Sequence, residues 1–246
     1  MKTISLVGKH GKINGHLHLK TKKEVVLIVH GFSSNNRGGA KDKSLILESI
    51  GVSSFRIDLD DRGGSELSFE KEACISSYVD QVNTCIDYLK KEGFEKVSLL
   101  GTSFGGIVVL VAAQNKDINK IFLRCPVLDA HERFLAKYSE EDLAKYESEG
   151  RVPKETYEGD IIYFSYNLIE DAKKYDPKEY AKNISAPVRI VHGTEDELVS
   201  IKHIEKRLGF FEKIELVKIE GAGHRLDVDG SWEVEDSFLK DFFGES

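Results

Sequence analysis

Residues 99–114 read LLGTSFGGIVVLVAAQ and set a single serine, Ser103, between two glycines. Two leucines precede the stretch GTSFGG at residues 101–106 and a long apolar run follows it, so the pattern predicts a buried strand that turns directly into a buried helix. A turn this tight excludes neighbouring side chains, which explains Gly101 and Gly105. The alternative is a glycine-rich turn that only packs a helix onto a strand.

The Ser103 hydroxyl at such a turn is a candidate nucleophile. A serine hydroxyl is a poor nucleophile at neutral pH, so it needs a base to take its proton and donors to bind the resulting oxyanion. A helix that begins beside the hydroxyl offers unpaired backbone amides and the positive end of its dipole. The pattern therefore predicts that the Ser103 hydroxyl is presented at the carboxyl edge of a sheet.

Apolar runs and helical periodicities alternate along the chain. Residues 3–20 alternate loosely and predict an opening antiparallel pair. Apolar runs predict later strands at 25–29, 53–57, 97–100, 121–123, 188–191 and 214–219. Helical spacing predicts helices at 75–92, 107–113 and 232–243. This alternation favours an α/β fold with a mostly parallel central sheet and helices on both faces.

One long segment, residues 129–182, interrupts this alternation. It carries no strong strand signal and is rich in charged and aromatic residues. A structureless loop of about 50 residues is improbable within a compact domain. We therefore expect a core domain of residues 1–128 and 183–246, with residues 129–182 forming a small helical lid inserted over one edge of the sheet.

Composition limits the classes of partner and compartment. The 246 residues carry a formal net charge of −7, which argues against nucleic acid or an anionic membrane as the main partner. No apolar run approaches the ~18 residues of a membrane span, and the N-terminus lacks a signal-peptide core, so we expect a cytoplasmic protein. Three cysteines without paired spacing predict neither a disulfide framework nor a zinc site, and we expect no metal or cofactor.

A second motif, HGTEDELV at residues 192–199, directly follows a predicted strand. Together with the glycine-flanked Ser103, it resembles the α/β-hydrolase superfamily of serine hydrolases, and the resemblance covers nearly the whole chain. That family carries a His-Gly-x-x-Asp-x-x-Val segment after a late strand, and the match assigns the catalytic acid to Asp196. Glu195 and Glu197 flank it as the rival acids.

A third motif, GAGH at residues 221–224, follows the last predicted strand. It is similar to the histidine loop of the same family, where the nucleophile, the acid and the histidine occur in this order. The resemblance implies that His224 takes the proton from Ser103 and passes it to the leaving group. It also implies that Asp196 holds the imidazole in the required tautomer.

The segment HGFSSN at residues 30–35 follows the first buried strand. In the resembled family, such a segment supplies one oxyanion-hole amide, which the match assigns to Phe32, and the residue after the nucleophile, Phe104, supplies the other. The alternative is that His-Gly forms an ordinary turn. Relatives often carry an Asp-x-Arg-Gly-x-Gly-x-Ser segment, whereas this chain reads DLDDRGGS at residues 58–65 and lacks the usual intervening residues after Arg62, so the shape of that loop stays open.

The inserted segment resembles the lid of small bacterial cinnamoyl and feruloyl esterases and of the serine aminopeptidase and monoacylglycerol lipase-like group. The resemblance implies a carboxylesterase of small to medium or aromatic acyl esters, with a small-molecule ester as its partner; a homodimer stays open. A thioesterase or peptidase with the same triad, or a non-catalytic binding protein, are the alternatives. The sequence shows no cationic cluster that predicts a charged substrate. The expected substrate-binding residues are His30, Gly31, Phe32, Phe104, His131 and Tyr163.

Overall fold

The computed structural model describes residues 1–156, 159–226 and 231–244, with the side chains of 231–234 left aside. Its main sheet has eight strands in the order β1-β2-β4-β3-β5-β6-β9-β10. These strands are β1 (Lys2–Gly8), β2 (Gly11–His18), β3 (Glu24–Val29), β4 (Ser53–Ile57), β5 (Lys96–Thr102), β6 (Ile121–Arg124), β9 (Val188–Gly193) and β10 (Ile214–Ile219). Every strand expected from the apolar runs is therefore present.

The sheet is mostly parallel. Strands β1 and β2 form an antiparallel pair, and β2 also pairs antiparallel with β4. The remaining neighbours run parallel from β4 through β3, β5, β6 and β9 to β10. Parallel strands end at the same edge, so the segments after β3, β5, β9 and β10 meet at the carboxyl edge of the sheet.

Helices cover both faces of this sheet, as predicted. Val25, Leu27 and Val29 of β3 face one core cluster, while Val26 and Ile28 face the other. The first cluster includes α2 (Ile75–Lys91) and α3 (Phe104–Ala113), and the second includes α1 (Gly39–Ser49) and α9 (Ser231–Gly244). A short α8 (Ile201–Glu205) follows β9. Within the described ranges, no helix has the length and apolar character needed to cross a membrane.

The inserted segment is mixed rather than purely helical. It contains α4 (Ala130–Lys137), α5 (Glu140–Glu149), β7 (Arg151–Glu155), β8 (Ile161–Ser165), α6 (Asn167–Ala172) and α7 (Pro177–Ala181). Strands β7 and β8 form a separate antiparallel pair. The sequence did not predict this hairpin, because β7 is short, charged and interrupted by Pro153, which removes one backbone donor. The division of the chain at residues 129 and 182 stays a prediction.

Hydrogen bonds tie the insertion to the core. Asp171 of α6 accepts hydrogen bonds from the backbone N–H of Ser76 at 2.7 Å and from its hydroxyl at 2.6 Å, at the start of α2. The Tyr175 hydroxyl lies 2.6 Å from the same serine oxygen. The buried Tyr180 hydroxyl donates to the carbonyl of Leu128. These contacts join the second half of the insertion to the start of α2 and to the segment after β6.

Candidate active site

Ser103 lies at the turn between β5 and α3, with φ of 53° and ψ of −119°. This conformation is strained for a residue with a side chain, and such strain clusters at functional sites. The flanking glycines permit the turn because a side chain at either position would clash with nearby backbone. A Cβ atom on Gly101 would lie 2.6 Å from the carbonyl oxygen of Gly105, and one on Gly105 would lie 2.5 Å from that of His30. The sequence pattern and the backbone therefore agree on why glycine is required here.

The structure brings Ser103, His224 and Asp196 together. His224 Nε2 lies 3.1 Å from Ser103 Oγ, and His224 Nδ1 lies 2.7 Å from Asp196 Oδ2. The three residues follow three different strands and lie as far as 121 residues apart in the chain. Glu195 and Glu197 are exposed, whereas Asp196 is buried, so Asp196 rather than either glutamate reaches the imidazole.

The Asp196 carboxylate is held by its own loop. Its Oδ1 atom accepts hydrogen bonds from the N–H groups of Leu198 at 2.9 Å and Val199 at 2.7 Å. Burial alone would raise the pKa of Asp196, but the hydrogen bonds from His224 and Val199 hold it below its ordinary value. The carboxylate is therefore ionised at neutral pH and fixed in orientation.

His192 supports the same loop from inside the protein. It is fully buried, and its Nε2 atom donates to the carbonyl of Val199 at 2.8 Å. Burial lowers the pKa of His192, which keeps the ring neutral. This contact stabilises the turn that carries Asp196.

The loop that carries His224 is fixed by a buried ion pair that the sequence did not reveal. Arg124, at the end of β6, donates to the carbonyl of His224 at 3.3 Å and to that of Arg225. Its Nε atom lies 3.1 Å from the carboxylate of Glu235, which is fully buried in α9. Lys43 of α1 lies 2.9 Å from the same carboxylate. No sequence motif near His224 points to these partners, because they come from three distant elements, β6, α9 and α1.

The candidate oxyanion hole lies between two turns. Ser33 has a positive φ of 59°, and the N–H of Ser34 donates to the carbonyl of Gly31 at 3.2 Å, which closes the first turn. In the described part of the chain, no acceptor engages the backbone N–H of Phe32 or Phe104. A Cβ atom on Gly31 would come within 3.3 Å of Ser103 Cβ, so this turn approaches Ser103 closely.

His30 positions this turn instead of facing the nucleophile. Its Nδ1 atom lies 2.8 Å from the carbonyl oxygen of Gly31, and its Nε2 atom accepts a hydrogen bond from the N–H of Leu59 at 3.1 Å. Both ring nitrogens are therefore engaged with backbone. His30 and Gly31 line a cavity of about 450 Å³, and Thr102 and Arg225 line the same cavity.

The compressed segment at residues 58–65 forms an ordered support for the turn. Asp58 accepts hydrogen bonds from the N–H of Asn36 at 2.8 Å and from its side-chain amide at 2.6 Å. The hydroxyl of Ser65 donates to the carbonyl of Asp58 at 2.7 Å, which closes the segment on itself. The short loop thus supports the segment after β3 without the extra residues common in relatives.

A cavity of about 170 Å³ opens beside Ser103 and His224. Four phenylalanines from the core and the insertion form much of its wall, namely Phe32, Phe104, Phe134 and Phe164. The Phe32 ring lies 5.3 Å from that of Phe104 and 5.0 Å from that of Phe164, centre to centre. Phe32 and Phe104 were expected to border a pocket, and both lie in this wall. Phe134 and Phe164 lie there too, although the sequence did not single them out.

Of the six residues expected to bind substrate, His30, Gly31, His131 and Tyr163 do not line this cavity. Tyr163 does not line the cavity at Ser103, because side chains alternate along β8 and its neighbour Phe164 faces inward. Its ring stacks instead against the guanidinium of Arg151, at 4.3 Å. His131 begins α4 one helical turn before Phe134 and is also absent from the lining.

One group of described residues could approach a metal ion. Cys125, Asp196 and His224 each offer a ligand atom, and these atoms lie within 4.8 Å of one another. Burial raises the pKa of Cys125 to about 12, so its thiol is protonated at neutral pH. Asp196 and His224 are already hydrogen-bonded to each other. The expectation that the protein uses no metal stays a prediction.

Comparisons with known proteins identify the fold. No family model matches the chain. It is 26% identical over 190 residues to the mitochondrial palmitoyl-protein thioesterase ABHD10 of Bos taurus, covering 74% of this chain and about 60% of that protein's length.

Two solved structures align with almost the whole chain. Est1E of Butyrivibrio proteoclasticus with bound ferulic acid has a TM-score of 0.83 and 22% identity over 97% of both chains. The alpha/beta hydrolase domain-containing protein 10 from mouse has a TM-score of 0.79 and 17% identity over 98% of both. These likenesses agree with the sheet order and with the motifs at its carboxyl edge. The chain therefore has the fold of the α/β hydrolases.

Proposed function

We propose that the chain is a serine hydrolase that cleaves carboxylic esters. The observation that carries this proposal is the continuous hydrogen-bonded line from Asp196 through His224 to Ser103, with separations of 2.7 and 3.1 Å. Such a line can convert a weak hydroxyl nucleophile into a strong one, because the histidine removes the proton as the bond forms.

The first half of the reaction forms an acyl-enzyme. Ser103 Oγ attacks the ester carbonyl carbon while its proton passes to His224 Nε2. The negative oxygen of the tetrahedral intermediate accepts hydrogen bonds from the N–H groups of Phe32 and Phe104, which have no other acceptor in the described ranges. The intermediate collapses when the bond to the alcohol oxygen breaks, and His224 donates the proton to that oxygen.

The second half releases the acid. A water molecule gives its proton to His224 Nε2 and attacks the acyl carbon, and collapse of the second intermediate returns the proton to Ser103 Oγ. Asp196 stays ionised throughout and stabilises the imidazolium that forms twice in each cycle. The hydrogen bonds to Asp196 Oδ1 hold it in this role.

The four phenylalanines favour an apolar or aromatic acyl group. A cavity of about 150 Å³ lined by apolar side chains can hold a benzene ring, and this cavity of about 170 Å³ is of that size. Est1E was solved with ferulic acid, an aromatic acid, and this likeness supports an aromatic acyl ester as substrate. We therefore propose feruloyl- or cinnamoyl-type esters together with short acyl esters.

A thioesterase is the second candidate, and one observation favours it. The relative from Bos taurus is named a palmitoyl-protein thioesterase. The same triad could cleave a thioester, since the acyl-enzyme is identical and only the leaving group differs. A palmitoyl chain, however, is far larger than a benzene ring, so the cavity beside Ser103 favours a smaller acyl group.

The test is hydrolysis of p-nitrophenyl acetate, butyrate and octanoate and of methyl ferulate, by the wild type and by Ser103→Ala. We expect hydrolysis that vanishes in the variant while its circular dichroism spectrum and melting temperature stay close to wild type. The matched thioesters of butyrate and ferulate separate the second candidate. Turnover that survives in Ser103→Ala, or a wild type that cleaves thioesters alone, would contradict the proposal.

A further inference from the structure

Three positive side chains line the cavity beside Ser103. Arg133 and Lys137 lie four residues apart on α4, so they share one face of the helix. Lys154 comes from β7 and lines the same cavity. All three belong to the insertion, whereas the nucleophile and the oxyanion donors belong to the core. The sequence does not show this group, because Arg133 and Lys154 are 21 residues apart and come to line one cavity only in the folded chain.

These cations have no acidic partner within the described ranges of the chain. Among the residues that the structure describes, none of the three forms an ion pair, and Lys154 Nζ reaches only the carbonyl of Glu155 at 3.5 Å. Elsewhere on the same helix the arrangement is different, since Glu132 contacts Lys206 at 2.9 Å and Arg207 at 2.8 Å. On α4, the acidic side chain of Glu132 is therefore paired with Lys206 and Arg207 and not with Arg133 or Lys137.

The cations lie close enough to repel one another. Partial desolvation lowers the pKa of Lys137, and the charges of Lys154 and Arg133 lower it further. Partial desolvation likewise lowers the pKa of Lys154, and the charge of Arg62 adds to the effect. Like charges this close destabilise the folded protein unless an anion offsets them.

The same region also supplies a neutral donor. Burial raises the pKa of Tyr138 to about 12, so the hydroxyl keeps its proton at neutral pH. Its ring borders the cavity and lies 4.9 Å from Lys137 Nζ. Protonated Tyr138 can donate a hydrogen bond to an anion that the cations attract.

We propose that this cavity selects an acyl group that carries a carboxylate at the end remote from the ester carbonyl. The substrate class is then the half-esters of dicarboxylic acids, with a short aliphatic or single-ring aromatic spacer against the phenylalanines. Arg133, Lys137 and Lys154 bind the free carboxylate, and Ser103 attacks the esterified one. This inference rests on the proposed ester hydrolysis.

The placement of the charge argues for the acyl side of the substrate. The cations share one cavity with Ser103, His224 and the aromatic wall, which is where an apolar acyl group would lie. The other cavity, bordered by Gly31 and Thr102, is a separate space next to the same turn. An ester with its carboxylate on the alcohol is therefore expected to gain less from the three cations.

The first experiment compares kcat/KM for matched methyl esters. Monomethyl adipate is set against methyl hexanoate, and monomethyl terephthalate against methyl 4-methylbenzoate. Carboxymethyl hexanoate places the carboxylate on the alcohol. We expect the half-esters to exceed their neutral partners by at least about tenfold, since hydrogen bonds to charged groups are stronger than those between neutral groups. The preference should shrink as salt is raised, because the cations are partly exposed.

The second experiment removes the cations. Lys154→Gln and the double variant Arg133→Gln/Lys137→Gln should each lower the ratio of half-ester to neutral-ester kcat/KM by about tenfold. Lys154→Arg should retain most of the preference. Lys173→Gln is the matched control, since Lys173 is an exposed lysine of the insertion paired with Glu170 at 2.7 Å, and it should leave the ratio unchanged.

The outcomes separate this inference from the function on which it rests. Hydrolysis of neutral esters at rates equal to or above those of the half-esters overturns the inference and leaves the esterase intact. An equal gain for carboxymethyl hexanoate also overturns it, because the cations would then attract any anion. A chain that hydrolyses none of these esters overturns both.

Discussion

Asp196 contacts His224 through one carboxylate oxygen and its own loop through the other. Oδ2 lies 2.7 Å from His224 Nδ1, while Oδ1 accepts hydrogen bonds from the N–H groups of Leu198 and Val199. The carboxylate cannot rotate without losing these bonds. It therefore favours the tautomer with the proton on Nδ1, which leaves Nε2 free to accept the proton of Ser103.

Asp196→Asn tests this relationship. An amide can present its NH₂ group to Nδ1, which stabilises the wrong tautomer, so we expect kcat to fall by about 10⁴-fold with little change in stability. The measurement is kcat on p-nitrophenyl butyrate. Glu195→Gln changes an exposed neighbour and should retain wild-type activity. A larger loss in Glu195→Gln than in Asp196→Asn would show that Asp196 is not the catalytic acid.

Arg124→Gln tests the ion pair beneath the His224 loop. The change leaves Glu235 buried with one cation fewer and removes donors from two loop carbonyls. Breaking a buried pair typically costs about 3–5 kcal/mol, so we expect a fall of that order in the free energy of unfolding in urea, together with lower kcat.

The control for Arg124 is the same substitution at Arg189. That side chain pairs with Glu215 and Asp241, whose side chains are each 55% exposed, so its loss should cost less. Activity should be retained in Arg189→Gln. Equal effects of the two changes on kcat would contradict a specific role for Arg124 in holding the His224 loop.

Gly105→Ala tests the close approach at the serine turn. The added methyl group would lie 2.5 and 2.6 Å from two backbone carbonyl oxygens, which cannot move without displacing β3. We expect destabilisation at or above the roughly 1–3 kcal/mol typical of overpacking, and loss of activity. Gly209→Ala meets nothing within 4 Å and should be neutral or slightly stabilising. A Gly105→Ala enzyme with wild-type melting temperature and kcat would contradict this account of the turn.

Glu132 gives a test by pH. Partial burial alone would raise its pKa, but hydrogen bonds from Lys206 and Arg207 lower it from 4.5 to about 2. A group whose pKa is lower in the folded state stabilises the protein fully above its unfolded pKa and loses that effect as the pH falls. Glu132→Gln should therefore be less stable than wild type at pH 7, and the difference should shrink between pH 4.5 and 2. Urea unfolding at pH 7 and pH 3 measures it, and a constant difference would contradict the assigned pKa.

Local pattern was sufficient to predict the sheet and the order of the three motifs. Runs such as 25–29 are buried on both faces of a parallel sheet, so their apolar character is independent of the rest of the chain. The glycines around Ser103 likewise follow from a local steric demand. The catalytic roles of Ser103, His224 and Asp196 stay predictions, although the structure brings their side chains into hydrogen-bond contact.

Other features depend on contacts that no local pattern encodes. Helix α1 was not predicted, because its buried residues include only one large apolar side chain, Leu47, alongside Lys43 and Ser44. Lys43 is buried there because it meets Glu235 of α9, 192 residues away in the chain. The cationic group has no signal in the sequence for the same reason, since Lys137 of α4 and Lys154 of β7 come to line one cavity only in the folded chain.

The most direct test of the central claim is covalent labelling of the purified protein with an organophosphonate, followed by intact mass measurement and peptide mapping. An activated serine attacks the phosphorus, whereas an ordinary surface serine does not. We predict one adduct per chain, located on Ser103, and a large fall in its rate of formation in His224→Ala. An unlabelled wild type, or an adduct on any other residue, would contradict the assignment of Ser103 as the nucleophile.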